Sequence, residues 1–165
     1  MLRDKSLIPL SRQHQHALAL CVRIDRAQPI PAANLEAWRA EITQQFEQEI
    51  KIHFAAEEKV LFPIARNFAE LASLVDELIA EHESLRREFI QLEKDGISAE
   101  ELPLFAKRLS EHVRKEERHL FERLQQLMKR ADMDAVGISL DKALRDASEV
   151  CILPSESTRL RSQRE

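Results

Sequence analysis

The chain has 165 residues, a length that fits one domain; 44% are hydrophobic and 33% charged, with 25 Lys and Arg against 29 Asp and Glu and a formal net charge of −4. Two glycines are too few for the turns of a multi-stranded sheet or for a phosphate-binding loop, tyrosine is absent, and good helix formers dominate. The near-balanced charge argues against a nucleic acid partner and no apolar run is long enough to span a membrane. Cys21 and Cys151, far apart, build neither a disulfide framework nor a zinc ribbon, so a reducing cytoplasmic location is expected.

In chain order, the first helix is expected from about Leu10 to Ala27, with Pro9 ahead of it, and Pro29 and Pro31 mark a connection. Asn34 is expected to cap a second helix that ends near Phe62, before Pro63. A third helix is expected from about Ala69 to Lys94, stopped at Asp95-Gly96. Ser98 and Glu101 form a capping box for a fourth, running to about Arg130, with Pro103 distorting its first turns. Beyond Gly137, Ser139 is expected to cap a short amphipathic helix using Leu140, Leu144 and Ala147, and residues 155–165 to be a disordered tail. The pattern is an all-α, antiparallel up-down-up-down four-helix bundle over residues 1–132, with a C-terminal helical extension and tail over 133–165.

Each helix carries an apolar stripe, and each stripe contains one histidine. The first reads Leu7, Leu10, His14, Ala17, Cys21, Ile24; the second Trp38, Ile42, Phe46, Ile50, His53, Glu57, Val60 or Leu61, Ile64. The third reads Leu71, Leu74, Leu78, His82, Leu85, Phe89, Leu92, and the fourth Phe105, Leu109, His112, Glu116, Leu120, Leu124, Leu127. Burying unpaired imidazoles and carboxylates among leucines costs several kcal/mol unless something shared compensates them, and a divalent metal pair does so for all six. His and Glu at i and i+4 lie on one helix face about 6 Å apart along the axis. Imidazole with carboxylate suits iron, zinc or manganese better than magnesium or calcium. The stretch from His53 to Phe62 is echoed by that from His112 to Phe121, with His, Glu-Glu and Leu-Phe in register.

These motifs resemble the hemerythrin-like, or HHE cation-binding, family. The matching pieces are Leu10-Ser-Arg-Gln-His14, His53-x-x-x-Glu57-Glu58-x-x-Leu-Phe-Pro63, Glu81-His82 and His112-x-x-x-Glu116-Glu117-x-x-Leu-Phe, covering about residues 7–128. The resemblance implies a bundle around two non-haem iron ions, oxo- or hydroxo- and carboxylate-bridged, taking a small diatomic ligand such as oxygen or nitric oxide. It assigns His14, His53, Glu57, His82, His112 and Glu116 as metal ligands, with the two carboxylates bridging. The implied role is oxygen or small-ligand binding in storage, sensing or an iron or redox response. The alternatives are a di-iron enzyme acting on peroxide or nitric oxide, and a metal-free helical interaction module.

One departure stands out. Oxygen carriers of this family typically supply two histidines, four apart, from the third helix, whereas here Leu78 and Arg86 flank His82. Glu81, Glu58 or a water is expected to complete the coordination, with Glu81 preferred. His16 falls off the stripe, in a supporting or surface position. His119, about 10 Å of helical rise beyond His112, is placed above the site and not in it. Cys21 reads as a packed thiol, and Arg86-Arg87-Glu88 as a solvated helix face.

Overall fold

The computed structural model describes residues 2–94, 96–145 and 153–159, and among them every regular element is helical. Helix α1 spans Ile8–Arg26, α2 residues 35–65, α3 Ala69–Glu93, α4 residues 102–127 and α5 Arg130–Ala143. Pro9 and Pro103 both sit in first turns, where no backbone N–H is needed, so Pro103 starts α4 without distorting it. The capping box forms: Ser98 N donates to Glu101 Oε2 at 2.9 Å and Glu101 N to Ser98 Oγ at 3.3 Å. Asn34 makes no side-chain cap, because it lies in a 3-10 turn, Ala32–Asn34, that feeds directly into α2.

Two helices are not uniform. Helix α2 widens into π-type turns at Phe46–Ile50 and Glu57–Leu61, and α4 does so at Glu116–Phe121. A π-turn fits an extra residue into one turn and is frequent where a helix carries function. The turn after Glu57 shifts the buried stripe, so Leu61, Phe62 and Ala65 are buried where a regular helix would bury Val60 and Ile64. It also lets α2 continue through Pro63 to Ala65, past the expected stop at Phe62.

The core is divided. One apolar cluster gathers Leu20, Ile24, Trp38, Ile42, Phe46, Phe89, Phe105 and Leu109 with their neighbours. A second gathers Leu7, Leu10, Leu61, Phe62, Val75, Leu78, Phe121 and Leu124. Helices α1 and α3 run from the second cluster to the first, and α2 and α4 from the first to the second. In α1 and α3 the crossing point is the histidine, and in α2 and α4 it falls just after it, past Phe54 and Val113. Polar side chains therefore form a layer across the middle of the bundle, with an apolar plug on either side.

Helix α5 differs from expectation. α4 stops at Leu127, Met128 is extended, and α5 then runs without interruption through Gly137 and Ser139. Ser139 is interior and its Oγ donates to Ala135 O at 3.1 Å instead of capping. Gly137 is a point of close approach: a Cβ there would lie 2.7 Å from Ser6 Oγ and 3.2 Å from Ser6 Cα. Met133, Val136, Leu140 and Leu144 join the second cluster, while Ala147 lies outside the described residues. Of the expected tail, Ser155 to Thr158 form a turn, and the buried Thr158 accepts from Arg23 Nη1 through its carbonyl at 3.1 Å; residues 160–165 lie outside the described set.

Candidate metal centre

The polar layer consists of His14 from α1, His53 and Glu57 from α2, His82 from α3, and His112 and Glu116 from α4. All six are buried, and Glu57, His82 and Glu116 are fully so. Their ligating atoms converge in two groups that share Glu116: His14, His53, Glu57 and Glu116, and His82, His112 and Glu116. Glu116 divides its oxygens, with Oε2 3.1 Å from His14 Nε2 and Oε1 3.3 Å from His112 Nε2 and 3.5 Å from His82 Nε2. Glu57 Oε2 lies between the groups, 3.3 Å from His53 Nε2 and 3.5 Å from His82 Nε2. Both carboxylates are thus placed to reach two ions.

Every imidazole turns Nε2 inward and Nδ1 outward onto a polar side chain. His14 Nδ1 is 2.7 Å from Glu117 Oε1, His53 Nδ1 2.8 Å from Gln13 Oε1, His82 Nδ1 2.8 Å from Glu58 Oε1, and His112 Nδ1 2.8 Å from Glu81 Oε2. Such partners hold the proton on Nδ1 and leave Nε2 as a lone pair facing the centre. With that tautomer on both rings, His14 Nε2 and His53 Nε2 present lone pairs to each other at 2.9 Å. A cation between them removes that repulsion, as does a proton on one of the two rings. The oxygens of Glu57 and Glu116 and the Nε2 atoms of His82 and His112 are buried without a hydrogen bond. Orphaned polar atoms of this kind are costly, and here they all point at one another. The donor set fits a pair of divalent cations.

The electrostatics agree. Burial pushes the Glu57 and Glu116 carboxyls toward the neutral form, yet the surrounding imidazoles overrule it and hold both below the usual carboxylate range. Burial would likewise lower the His14 and His82 imidazoles, but the carboxylates around them hold these at about 10 and about 11. Without a cation, protons must serve as the positive charge of the layer. Metal binding displaces them.

Aromatic rings wall the layer. Phe54 stacks on His82 with centroids 3.8 Å apart, Phe62 covers the same ring at 5.3 Å, and Phe121 stacks on His14 at 5.4 Å. A cavity of about 10 Å³ adjoins the first group, reaching His14, His53 and Glu116, with Ile50, Leu109 and Val113 among its walls.

The structure corrects some expectations and agrees with others, those for His16 and Cys21 among them. Neither Glu81 nor Glu58 faces the centre: Glu81 lies between His112 and Lys115, and Glu58 between His82 and Arg86. Each leaves its helix on the outer side of the imidazole it serves. His119 is exposed, because the π-turn at Glu116 turns it off the inner stripe. His16 is at the surface and pairs with Glu49 at 2.9 Å. Arg86 and Glu88 are not merely solvated, since Glu88 is buried against Arg108. Cys21 is a free buried thiol whose burial pushes it up to about 12, a packing residue. Gln13 and Glu117 were missed as orienting partners, although they stand next to His14 and Glu116 just as Glu81 and Glu58 stand next to His82 and Glu57.

Among the described residues, no helix is long and apolar enough to cross a membrane. Comparison with protein-family models matches the hemerythrin HHE cation binding domain over residues 9–124. No curated protein and no solved structure matches the chain.

Proposed function

The chain belongs to the hemerythrin HHE cation-binding family, and on that premise we propose that it holds two non-haem iron ions in the polar layer and binds a small diatomic ligand there. The observation that carries this reading is the set of orphaned, converging donors: Glu57, Glu116, His82 and His112 present buried atoms with no hydrogen bond. In this reading Glu57 and Glu116 bridge the two ions, and His14, His53, His82 and His112 are terminal ligands. Bound there, an iron pair supplies a coordination position and reducing equivalents for a diatomic molecule such as oxygen or nitric oxide.

The chain's own residues set the conditions. Gln13, Glu58, Glu81 and Glu117 fix the imidazole tautomers, and the two bridging carboxylates offset the charge of the cations. Phe54, Phe62 and Phe121 keep bulk water from the rings they cover. The cavity beside His14 and His53, at about 10 Å³, has room for about one water-sized group, which favours a small ligand over a bulky substrate. Metal quantitation on anaerobically purified protein, followed by oxygen and nitric oxide titration, tests the proposal. Two irons per chain and a stoichiometric spectral change on ligand addition are expected. Protein that retains no iron after anaerobic Fe(II) loading would refute it. Sustained turnover of peroxide or nitric oxide would replace binding with enzymatic reduction.

A further inference from the structure

The polar layer is built twice. Gln13-His14 on α1 corresponds to Glu81-His82 on α3, and His53, Glu57 and Glu58 on α2 correspond to His112, Glu116 and Glu117 on α4. The residue before the first histidine orients the second histidine of its own half: Gln13 holds His53 and Glu81 holds His112. The glutamate after each inner carboxylate crosses to the other half, Glu58 holding His82 and Glu117 holding His14. The pattern is two-fold in every partner type except one. Three imidazoles donate Nδ1–H to a carboxylate, and His53 alone donates to an amide.

The surroundings follow the same break. Glu81 is paired with Lys115, and the position equivalent to Lys115 in the other half is the buried Ala56. Among the described residues, no charge pair stands behind His53. A carboxylate acceptor draws the Nδ1 proton more strongly than an amide carbonyl does, and makes Nε2 a better donor to a cation. His82 is also covered by two stacked rings, Phe54 and Phe62, whereas His14 is covered by Phe121 alone and the His14–His53 group borders the cavity.

We propose that the two metal positions are unequal: Gln13 makes the His14–His53 position the weaker and more exchangeable of the two. Gln13 acts as a positioning residue, through His53. The proposal rests on the two-metal reading above and predicts an order of filling within it: the His82–His112 position loads first and releases last.

The test is equilibrium titration of the full chain with Co(II), which needs no anaerobic handling of iron and reports each position through its visible absorption. The unaltered chain should bind two Co(II) in two steps separated by about 10-fold or more in affinity, the scale on which orienting partners alter metal binding. Q13E should tighten the second step about 10-fold and shift only the absorption that grows in that step, while Q13A loosens the same step by a similar factor. E81Q makes the reverse change in the other half and should loosen the first step. It also serves as the decisive variant if Q13E does not fold. Two equal steps in the unaltered chain overturn the inequality, as does a Q13E or E81Q that moves the wrong step or neither. Binding of one Co(II), or none, refutes the two-metal reading itself, a result distinct from two equal steps.

Discussion

The half of the bundle formed by α1 and α2 and the half formed by α3 and α4 use the same parts differently. Both bring a histidine, then a histidine with a glutamate one turn later, to the middle of the core, and both open a π-turn at that glutamate. Yet one half has two rings stacked on His82 and is backed by the Lys115–Glu81 pair, while the other has a single ring on His14 and meets a cavity and a neutral amide. Shared motifs therefore specify convergence, and the residues beside them make the two halves differ in cover and in the partner behind each imidazole.

The largest expected effect tests what the halves share. Glu116→Ala removes the carboxylate common to both donor groups and should abolish stoichiometric binding of both metals, at least a 100-fold loss in affinity, read by metal analysis after dialysis. Glu57→Ala should come close to it; a variant that kept two tightly bound metals would break the bridging assignment. His112→Ala should lose most bound metal, whereas His53→Ala, which removes a ligand of the weaker position, should retain one tight ion; equal losses would break the contrast.

Chelation comes next. Metals that bind only the folded chain stabilise it by mass action, about 2.7 kcal/mol for each at a hundredfold excess over Kd, so removal of both should lower Tm by on the order of 10–20 °C in a domain of this size. A metal-free chain with an unchanged Tm would favour a bundle in which the histidines merely pack.

The metal-free chain should also show an unusual pH profile. His14 and His82 are raised from 6.5 to about 10 and about 11, so the stability from their pairing is fully present below pH 6.5 and is lost as pH rises through those higher values. Glu57 and Glu116 are lowered from 4.5, so their contribution, which describes the same contacts from the other side, is present above 4.5 and lost on acidification. Thermal unfolding in chelator should therefore be most difficult between pH 4.5 and 6.5 and become easier toward pH 10, whereas metal uptake in unbuffered solution should release protons. A Tm that rises steadily from pH 6 to 10 would contradict the protonated layer. The smallest effect lies far from both halves' donors: Ser98→Ala removes one arm of the capping box and should cost about 1 kcal/mol, or about 2–4 °C, with metal stoichiometry unchanged.

The stripes were sufficient to place six donors on inner faces, because a period near 3.6 is imposed by burial itself and a polar residue within it is conspicuous. They were insufficient for Glu58 and Glu81. A carboxylate beside a candidate ligand is compatible with either side of the imidazole, and only the crossing of helices decides which. Gln13 carried no signal of its own. It became visible only as the counterpart of Glu81 once both halves were seen to be built alike. Leu61, left open against Val60, is the buried one, and Ala65 took the place of Ile64, because a π-turn is a local adjustment that helical periodicity does not encode. α5 began earlier than expected because Gly137, which looked like a break, is required by the close pass over Ser6.

That close pass has a practical consequence for anyone shortening the gene. The family match ends at residue 124, yet Met133, Val136, Leu140 and Leu144 are packed with Leu7, Leu10, Leu61 and Phe121 in one cluster. A fragment trimmed to the matched boundaries would leave that end of the bundle facing water as a broad sticky surface and should self-associate on expression. The unit that must be cloned to obtain a well-behaved protein is longer than the unit that similarity delimits.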